Sequence, residues 1–270
     1  MIAAASFDVN NPELWVNRGL AYGDGLFETM RFNLRTIPLL DFHLERLNKG
    51  LNKLQLNTFD KKIIEEVLAE VSLKTEQAII KLFVFRANQI RSYTPFTHDI
   101  EWLLTVDVMS KMHESKTLSL MVSNQVISAQ PMLAGLKHLS RLEQVIMASE
   151  LNNYKGISDL LVIDGNNHVI ETTHQNVVMI KQGQLYSPQL ENSGVSGVAL
   201  QWLKSHYKVN VEHIKVENLN DYDGIMVCNS IRGFRWVSSI EQVEKQCISF
   251  GTKQGIHDKI SAQWEALFKS

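Results

Sequence analysis

The sequence predicts an α+β protein with two domains, in which mixed sheets are flanked by helices. Three observations support this fold class. Apolar residues recur at helical spacing, short runs rich in branched and aromatic residues predict strands, and a polar, charged stretch separates two of those strands. We interpret that stretch, residues 110–116, as an interdomain linker. The N-terminal domain is therefore expected over residues 1–109 and the C-terminal domain over residues 117–270.

Two helices and two strands are predicted in the first half. The first helix runs from about Asp41, its expected N-cap, to Leu54, and its apolar residues are Leu40, Leu44, Leu47, Leu51 and Leu54. The second follows Asp60, and its inward residues are Ile63, Ile64, Val67, Leu68 and Val71. The apolar runs 78–86 and 100–108 predict strands.

The second half is predicted to be rich in strands. A strand opens it at residues 118–124, and the runs 160–164 and 168–173 flank Gly-Asn-Asn, which predicts a hairpin. A glycine between the runs 177–182 and 184–188 predicts another. The remaining predicted elements are a helix from Gly-Val-Ser-Gly to near Tyr207, a buried strand over 224–230 and a closing helix over 254–268.

The composition limits the functional classes. The chain has 270 residues and a formal net charge of −2 without a long basic run, so nucleic-acid binding has no electrostatic support. No apolar stretch approaches a membrane span, and the N-terminal residues do not match a signal peptide. Two cysteines, Cys228 and Cys247, are too few for a disulfide framework, which favours a cytoplasmic location. The histidines are scattered, so no metal site is predicted.

The run AGLKHLSRLEQ, from Ala134 to Gln144, contains the most informative lysine, Lys137. Ser140 and Glu143 match the S-x-x-E pattern of a capping box, which predicts a helix start just after the lysine. The helical stripe that follows is Leu142, Val145, Ile146 and Ser149. Lys137 is therefore expected on a connector anchored by a rigid element, a suitable place for an amine that attacks a carbonyl. Taken alone, the lysine would be interpreted as a solvated surface residue.

The segments around this lysine resemble one known family in the correct order. The matching runs are KHLSRLEQ, NRGLAYGDGLFETMR (Asn17 to Arg31), DFHLERL (Asp41 to Leu47), VIETTHQNV (Val169 to Val177), SGVSG (Ser193 to Gly197) and, more weakly, CNSIRG (Cys228 to Gly233). Together they resemble the 4-amino-4-deoxychorismate lyases. That family belongs to the fold-type IV enzymes that use pyridoxal 5'-phosphate (PLP), with the branched-chain and D-amino-acid aminotransferases. The resemblance covers nearly the whole chain and implies this two-domain fold, PLP as cofactor and a homodimer.

The resemblance also assigns cofactor contacts. Lys137 matches the Schiff-base lysine, Glu171 the carboxylate that pairs with the pyridine nitrogen, and Arg46 a phosphate ligand. The other implied cofactor contacts are Val195, Ser196 and Gly197 at the phosphate, Asn229 and Ser230 at the same group, and Asn176 with Thr172 as orienting residues. Without the resemblance, these residues have ordinary structural interpretations. Glu171 would be a solvent-facing strand end, Arg46 a surface partner of Glu45 or Asp41, and Asn229 with Ser230 a turn.

The resemblance implies substrate contacts for Tyr22, Phe27 and Thr29. Further candidate substrate residues, which the resemblance does not assign, are Arg91, Tyr93, Arg232 and Arg235; the arginines among them would suit the two carboxylates of the implied substrate. Core packing is an equal interpretation for Phe27. His43, three residues before Arg46, is interpreted as a supporting residue. Asp24 is interpreted as a turn residue.

Three functions are compatible with these motifs. The resemblance implies a lyase that converts 4-amino-4-deoxychorismate, a small molecule, to p-aminobenzoate and pyruvate for folate synthesis. A branched-chain or D-amino-acid aminotransferase would share the cofactor residues. The branched-chain enzymes usually carry a tyrosine about five positions after the lysine, and that place is Leu142 here, which favours the lyase. The basic, aromatic run IRGFRW, from Ile231 to Trp236, departs from the family pattern and bears on substrate identity. A non-catalytic PLP carrier is the third interpretation, and the intact lysine, glutamate and arginine argue against it.

Overall fold

The computed structural model describes residues 1–11, 17–87, 92–109, 117–242, 247–251 and 255–269. The chain forms two compact units. Unit 1 comprises Met1–Met112 together with Leu136–Ser140, and unit 2 comprises His113–Gly135 together with Arg141–Ser270. The predicted linker, 110–116, lies outside the described residues. The segment Leu136–Ser140 belongs with unit 1, which differs from the predicted assignment of all residues after 116 to the C-terminal domain.

The described part of unit 1 contains an antiparallel sheet and three helices. Its strands are β1 (Ile2–Ala5), β2 (Gly25–Asn33), β3 (Gln77–Arg86) and β4 (Ile100–Val108), in the order β1-β4-β3-β2. Its helices are α1 (Arg18–Tyr22), α2 (Leu40–Lys53) and α3 (Lys61–Ser72). Alternate residues of the strands bury one face of the sheet, including Met30, Phe32, Ile80, Leu82 and Leu104. Helix α2 packs against β2.

The predicted helices of unit 1 are confirmed, with one error at a helix start. Asp60 caps α3 by accepting the N–H of Lys62 at 2.9 Å. The predicted N-cap of α2, Asp41, is wrong, because the helix begins one residue earlier and its N-cap is Leu39. The Asp41 carboxylate instead accepts a hydrogen bond from Lys61 at 2.9 Å.

The segment Leu136–Ser140 lies along the edge of β2, and main-chain hydrogen bonds hold it there. Phe27 N–H donates to the Lys137 carbonyl at 2.9 Å, and Leu139 N–H donates to the Gly25 carbonyl at 3.0 Å. An antiparallel bridge joins Leu26 to His138. Because β2 is an edge strand, this segment satisfies groups that the sheet would leave unpaired.

Unit 2 contains a nine-stranded mixed sheet with helices. Its strands are β5 (Thr117–Ile127), β6 (Asp159–Asp164), β7 (Val169–Thr172), β8 (Asn176–Lys181), β9 (Gln184–Pro188), β10 (Val209–Glu212), β11 (Gly224–Asn229), β12 (Gly233–Glu241) and β13 (Ile248–Ser249). Its helices are α4 (Leu142–Ser149), α5 (Val198–His206) and α6 (Gly255–Ala266), with 3-10 helices over Glu150–Asn153 and Val216–Asp221. The order is β10-β9-β8-β11-β12-β5-β6-β7, and β13 pairs with β12. The pairs β5–β6, β5–β12 and β9–β10 are parallel.

The elements predicted in this unit are present. The hairpins β6–β7 and β8–β9 are antiparallel, and their turns contain the left-handed residues Asn167 and Gly183. The strand β11 is buried along nearly its whole length. Helix α6 packs against β12, and an aromatic core cluster consists of Trp202, Phe234, Trp264 and Phe268.

Within the described ranges, no helix has both the length and the apolar character needed to cross a membrane.

A buried ionic network in unit 1 holds the loop over residues 92–97. Asp24 Oδ2 accepts hydrogen bonds from Arg18 Nε at 2.8 Å and from Arg86 Nε at 2.9 Å. The remaining guanidinium donors bind main-chain carbonyls: Arg18 Nη1 binds Ser92, and Arg86 Nη1 binds Thr97 at 2.7 Å. Asp24 is therefore an ionic anchor, and its interpretation as a simple turn residue is wrong.

Replacing Asp24 by asparagine should destabilise the protein strongly, because two buried guanidinium groups would lose their shared counter-ion. The expected loss in the free energy of unfolding is about 3–5 kcal/mol, measured by denaturant titration. Asp41→Asn, which removes a carboxylate from the exposed pair with Lys61, is the control and should leave stability essentially unchanged. Equal stability of the two variants would show that the network contributes little.

Candidate active site

The backbone of Lys137 is hydrogen-bonded to the edge of β2, and its amine lies over an aromatic ring. Its Nζ lies 4.3 Å from the centroid of the Phe27 ring, a cation–π distance. The side chain is partly buried, so the interpretation as a solvated surface lysine is wrong. Phe27 contacts the lysine instead of belonging to the buried core.

A second lysine lies on the same face of the unit 1 sheet. Thr29 follows Phe27 on that face, and its cross-strand partner is Lys81. Lys81 Nζ lies 5.1 Å from the Phe27 centroid and 4.7 Å from the Phe83 centroid. Lys81 was not singled out from the sequence, although a lysine inside the apolar run 78–86 was a signal. Two ammonium groups over neighbouring aromatic rings create a surface that attracts anions.

Arg46 lies in a buried cluster with Glu28 and His43. Arg46 Nε donates to Glu28 Oε1 at 2.8 Å, Arg46 Nη2 donates to Glu28 Oε2, and His43 Nδ1 lies 2.6 Å from Oε2. All three side chains are almost fully buried. The alternative that Arg46 is a surface partner of Glu45 or Asp41 is wrong, because Glu45 pairs with Lys49 and the guanidinium faces the interior.

The charges of this cluster are set by burial and by mutual contact. Burial raises the pKa of Glu28, but the Arg46 charge and the His43 contacts outweigh it and lower the value to about 2. Burial lowers the pKa of His43 below its ordinary value, against the opposing effect of Glu28. At neutral pH the cluster therefore contains a carboxylate, a guanidinium and a neutral imidazole.

The other predicted substrate residues of unit 1 lie in a separate group. The rings of Tyr22 and Tyr93 are 5.3 Å apart, and Arg18 lies over the Tyr22 ring. The Tyr93 side chain is exposed, on the loop that the Asp24 network holds. Arg91 lies outside the described residues.

In unit 2, Glu171 and Asn176 bind the main chain of the same residue, Val195. Glu171 is buried on β7, and its Oε2 accepts the N–H of Val195 at 2.9 Å. Asn176, the first residue of β8, donates its amide Nδ2–H to the Val195 carbonyl at 2.8 Å. Glu171 is therefore not the solvent-facing strand end of the alternative interpretation. Val195 therefore connects Glu171, the predicted partner of the ring nitrogen, to the predicted phosphate loop.

The predicted phosphate loop is also bonded to the chain just before Lys137. Ser196 N–H donates to the Gly135 carbonyl at 3.1 Å, and Gly135 N–H donates to the Gly194 carbonyl at 2.9 Å. The N–H groups of Val195 and Ser196 thus donate hydrogen bonds within unit 2. They are not the unbonded donors for an anion that the sequence predicted. Gly197 is the N-cap of α5, whose first-turn N–H groups have no intrahelical acceptors and favour an anion.

Asn229 serves as a turn residue. Its Oδ1 accepts the N–H of Ile231 at 3.1 Å and the N–H of Arg232 at 2.8 Å, which closes the turn between β11 and β12. Ser230 lies in the same turn, and the Arg232 side chain is exposed. Arg235 Nη2 donates to Gln175 Oε1 at 2.8 Å, so this arginine supports the turn after β7.

A buried carboxylate that was not singled out from the sequence anchors that turn. Asp159 Oδ2 accepts hydrogen bonds from Thr172 Oγ1 at 2.7 Å and from Gln175 Nε2 at 3.2 Å, and Thr173 donates to its Oδ1. The turn joins the strand of Glu171 to the strand of Asn176. Its only sequence signal was an aspartate at the start of a buried strand.

The predicted capping box is wrong. Helix α4 begins at Leu142, and its N-cap, Arg141, makes no side-chain capping bond. Glu143 instead accepts hydrogen bonds from Ser128 N–H at 3.2 Å and from Gln130 Nε2 at 2.9 Å. Ser140 belongs to the β2-edge segment and is not the N-cap residue of α4.

Comparison with known proteins identifies the family. A family model described as amino-transferase class IV matches residues 25–240. The aminodeoxychorismate lyase of Vibrio harveyi is 30% identical over 239 residues, which cover 85% of this chain and 88% of that protein. The chain belongs to the amino-transferase class IV family. PLP is therefore its cofactor, as the sequence predicted.

Solved structures of class IV enzymes share the fold. The 4-amino-4-deoxychorismate lyase from Pseudomonas aeruginosa has a TM-score of 0.81 at 27% identity, covering 97% of this chain and 96% of that one. A branched-chain aminotransferase from Thermoproteus uzoniensis also has a TM-score of 0.81, at 16% identity, covering 98% and 93%. The predicted fold-type IV architecture is confirmed. Fold similarity alone does not separate lyases from aminotransferases.

Gly197→Ala should disturb the phosphate loop. A Cβ at this position would lie 1.8 Å from Asn176 Oδ1, so the asparagine would have to move and lose its bond to Val195. The expected loss in the free energy of unfolding is about 1–3 kcal/mol by denaturant titration. Gly165→Ala, where a Cβ meets no atom within 4 Å, is the matched control. A loss no greater than that of the control would mean that the loop absorbs the methyl group.

Proposed function

We propose that this protein is a PLP-dependent lyase that converts 4-amino-4-deoxychorismate to p-aminobenzoate and pyruvate. The observation that carries the proposal is the 30% identity to the Vibrio harveyi lyase along most of both chains. Leu142 supports the same choice, because branched-chain aminotransferases usually carry a tyrosine at that place. The p-aminobenzoate would serve folate synthesis.

The residues fit the cofactor. Glu171 is a buried carboxylate suited to a protonated ring nitrogen, and Gly197 leaves space beside Asn176 that a Cβ would fill at the first turn of α5. Arg46 provides a buried guanidinium for the phosphate, and Lys137 provides the amine for the aldehyde. Asn176 holds the loop by its bond to the Val195 carbonyl. We assign Val195, Ser196, Asn229 and Ser230 to the framework around the cofactor. PLP supplies an electron-accepting ring that stabilises negative charge at the carbon losing its proton.

Lys137 is the proposed proton carrier. Its Nζ would take the proton from C4 of the substrate, and the enolpyruvyl oxygen would leave the neighbouring carbon. The ring of the product becomes aromatic, which drives the elimination, and the released fragment is pyruvate. The residue therefore needs a fixed backbone and a mobile side chain, and the pairing of its segment with β2 supports this role.

Recognition of a substrate with two carboxylates requires cations. Lys81 lies on the same face of the unit 1 sheet as Thr29 and Phe27, which supports a role for that face in binding one carboxylate. Tyr22, Tyr93, Arg91 and Arg232 remain proposed substrate residues, and a rise in KM on substitution of each would test them.

The decisive assay offers 4-amino-4-deoxychorismate without a keto-acid acceptor. Stoichiometric release of pyruvate and p-aminobenzoate is expected, and Lys137→Ala should reduce the rate by about three orders of magnitude or more. Transfer of nitrogen from a branched-chain or D-amino acid to 2-oxoglutarate, without pyruvate release, would favour the aminotransferase. Bound PLP without turnover of any amine would favour a non-catalytic carrier.

We also propose that the protein is a homodimer in the cytoplasm. Leu142, Val145 and Ile146 form an apolar stripe on α4, and their exposed fractions are 70%, 62% and 52%. Such a stripe favours association with a second subunit. Both cysteines are free, which agrees with a reducing compartment and would be tested by cell fractionation.

Light scattering should give the mass of a dimer at micromolar concentration, and Ile146→Glu should shift the protein toward the monomer because a charge would be placed on the stripe. Lys155→Glu, outside that stripe, is the control. A monomeric wild-type protein would contradict the proposal.

A further inference from the structure

The cluster of Glu28, His43 and Arg46 contains more hydrogen bonding than a phosphate ligand alone requires. Glu28 Oε2 accepts bonds from both His43 and Arg46, while Oε1 accepts a bond from Arg46 Nε. The guanidinium is therefore held along its Nε–Nη2 edge, which fixes its plane. His43 and Arg46 lie three residues apart on α2, so one helix face presents both groups to the same carboxylate of β2.

The proton positions in the cluster follow from the charges. Glu28, with a pKa of about 2, is ionised at neutral pH and only accepts hydrogen bonds. His43 Nδ1 must therefore donate, and the neutral ring then has no proton on Nε2. That Nε2 atom is buried and has no hydrogen-bond partner among the described residues. Within the described structure, the imidazole thus makes its hydrogen bond to Glu28 alone.

Glu28 has opposing effects on anion binding. Its negative charge offsets the charge of Arg46 and so weakens attraction to a phosphate, while its two oxygens orient the guanidinium fork. Directional recognition of a phosphate depends on that orientation. Arg46 binds both carboxylate oxygens, so these bonds alone would let the carboxylate and the guanidinium turn together as a unit about their broad terminal torsions. The bond from His43 to Oε2 adds a contact from outside that pair, and it fixes the orientation of both groups.

We propose that His43 is a positioning residue for phosphate recognition: it fixes the Glu28 carboxylate, which in turn orients Arg46 toward the phosphate of PLP. The proposal rests on the phosphate role of Arg46 in the proposed function. His43 itself does not need to touch the cofactor.

The test measures phosphate preference, defined as the dissociation constant of pyridoxal divided by that of PLP. The full-length chain, freed of cofactor, is titrated with each compound, and binding is followed by absorbance. Pyridoxal retains the aldehyde for Lys137 but lacks the phosphate. A general loss of structure weakens both compounds, whereas a misdirected Arg46 weakens PLP selectively.

Two substitutions at His43 separate its ring nitrogens. In His43→Asn the amide imitates Nδ1 and retains a donor to Glu28, whereas in His43→Gln the amide imitates Nε2 and the donor is lost. The asparagine variant should keep the wild-type preference within about threefold, and the glutamine variant should lower it about tenfold. Unchanged preference in the glutamine variant, or equal loss in both variants, would overturn the proposal.

Variants of the other cluster members make the outcome independent of one substitution. Glu28→Asp shortens the carboxylate, so it should lower the preference as much as His43→Gln does, and an unchanged preference would also overturn the proposal. Glu45→Gln removes an exposed carboxylate from the same helix and should have no effect. Arg46→Met should lower the preference more than any other variant. If it does not, the assignment of Arg46 fails, which is distinct from a failure at His43 alone.

Discussion

The pairing of the Lys137 segment with the edge of β2 is the constraint on which the proposed chemistry depends. Main-chain bonds at the Lys137 carbonyl and at the Leu139 N–H fix the backbone at the lysine, while its long side chain extends over the Phe27 ring. An amine that forms and breaks a covalent bond in each cycle must return to one place, and a strand edge provides that place without using the side chain. The same edge strand carries Glu28, Phe27 and Thr29, so a single element aligns residues with different roles.

In unit 2, the equivalent constraint is the main chain of one residue, Val195. The N–H and carbonyl of Val195 bind Glu171 and Asn176, which lie on the two strands joined by the turn that Asp159 anchors. The position of the loop is thereby tied to the carboxylate proposed for the ring nitrogen. In the proposed site, the same set of hydrogen bonds would position both the phosphate loop and the carboxylate for the ring nitrogen. Burial strengthens these hydrogen bonds and makes each of them costly to lose.

Periodicity and turn chemistry predicted the helices α2 and α3, the strands β3 and β4, and the hairpins around Asn167 and Gly183, because these are local features. The strands β2 and β12 were not predicted. The errors occurred where a distant partner competes with a local one. Asp41 and Glu143 had the chemistry of helix caps, but Lys61, Ser128 and Gln130 bind them instead. Within the candidate site, the resemblance supplied Lys137, Glu171 and Arg46. It could not supply Glu28 as the partner of Arg46 or the engagement of the Val195 N–H, because such contacts arise only when separate segments pack together.

The anchoring of the loop over residues 92–97 has an evolutionary consequence. Arg18 and Arg86 bind the loop through its carbonyl oxygens, which every amino acid possesses, and not through its side chains. The loop can therefore change its side chains by mutation while retaining its path over the surface. Exposed residues such as Tyr93 and Phe96 can be replaced by mutation, or selected for binding new ligands, with little effect on folding. A family with one scaffold and several reactions gains from such a division between a fixed backbone and a variable lining.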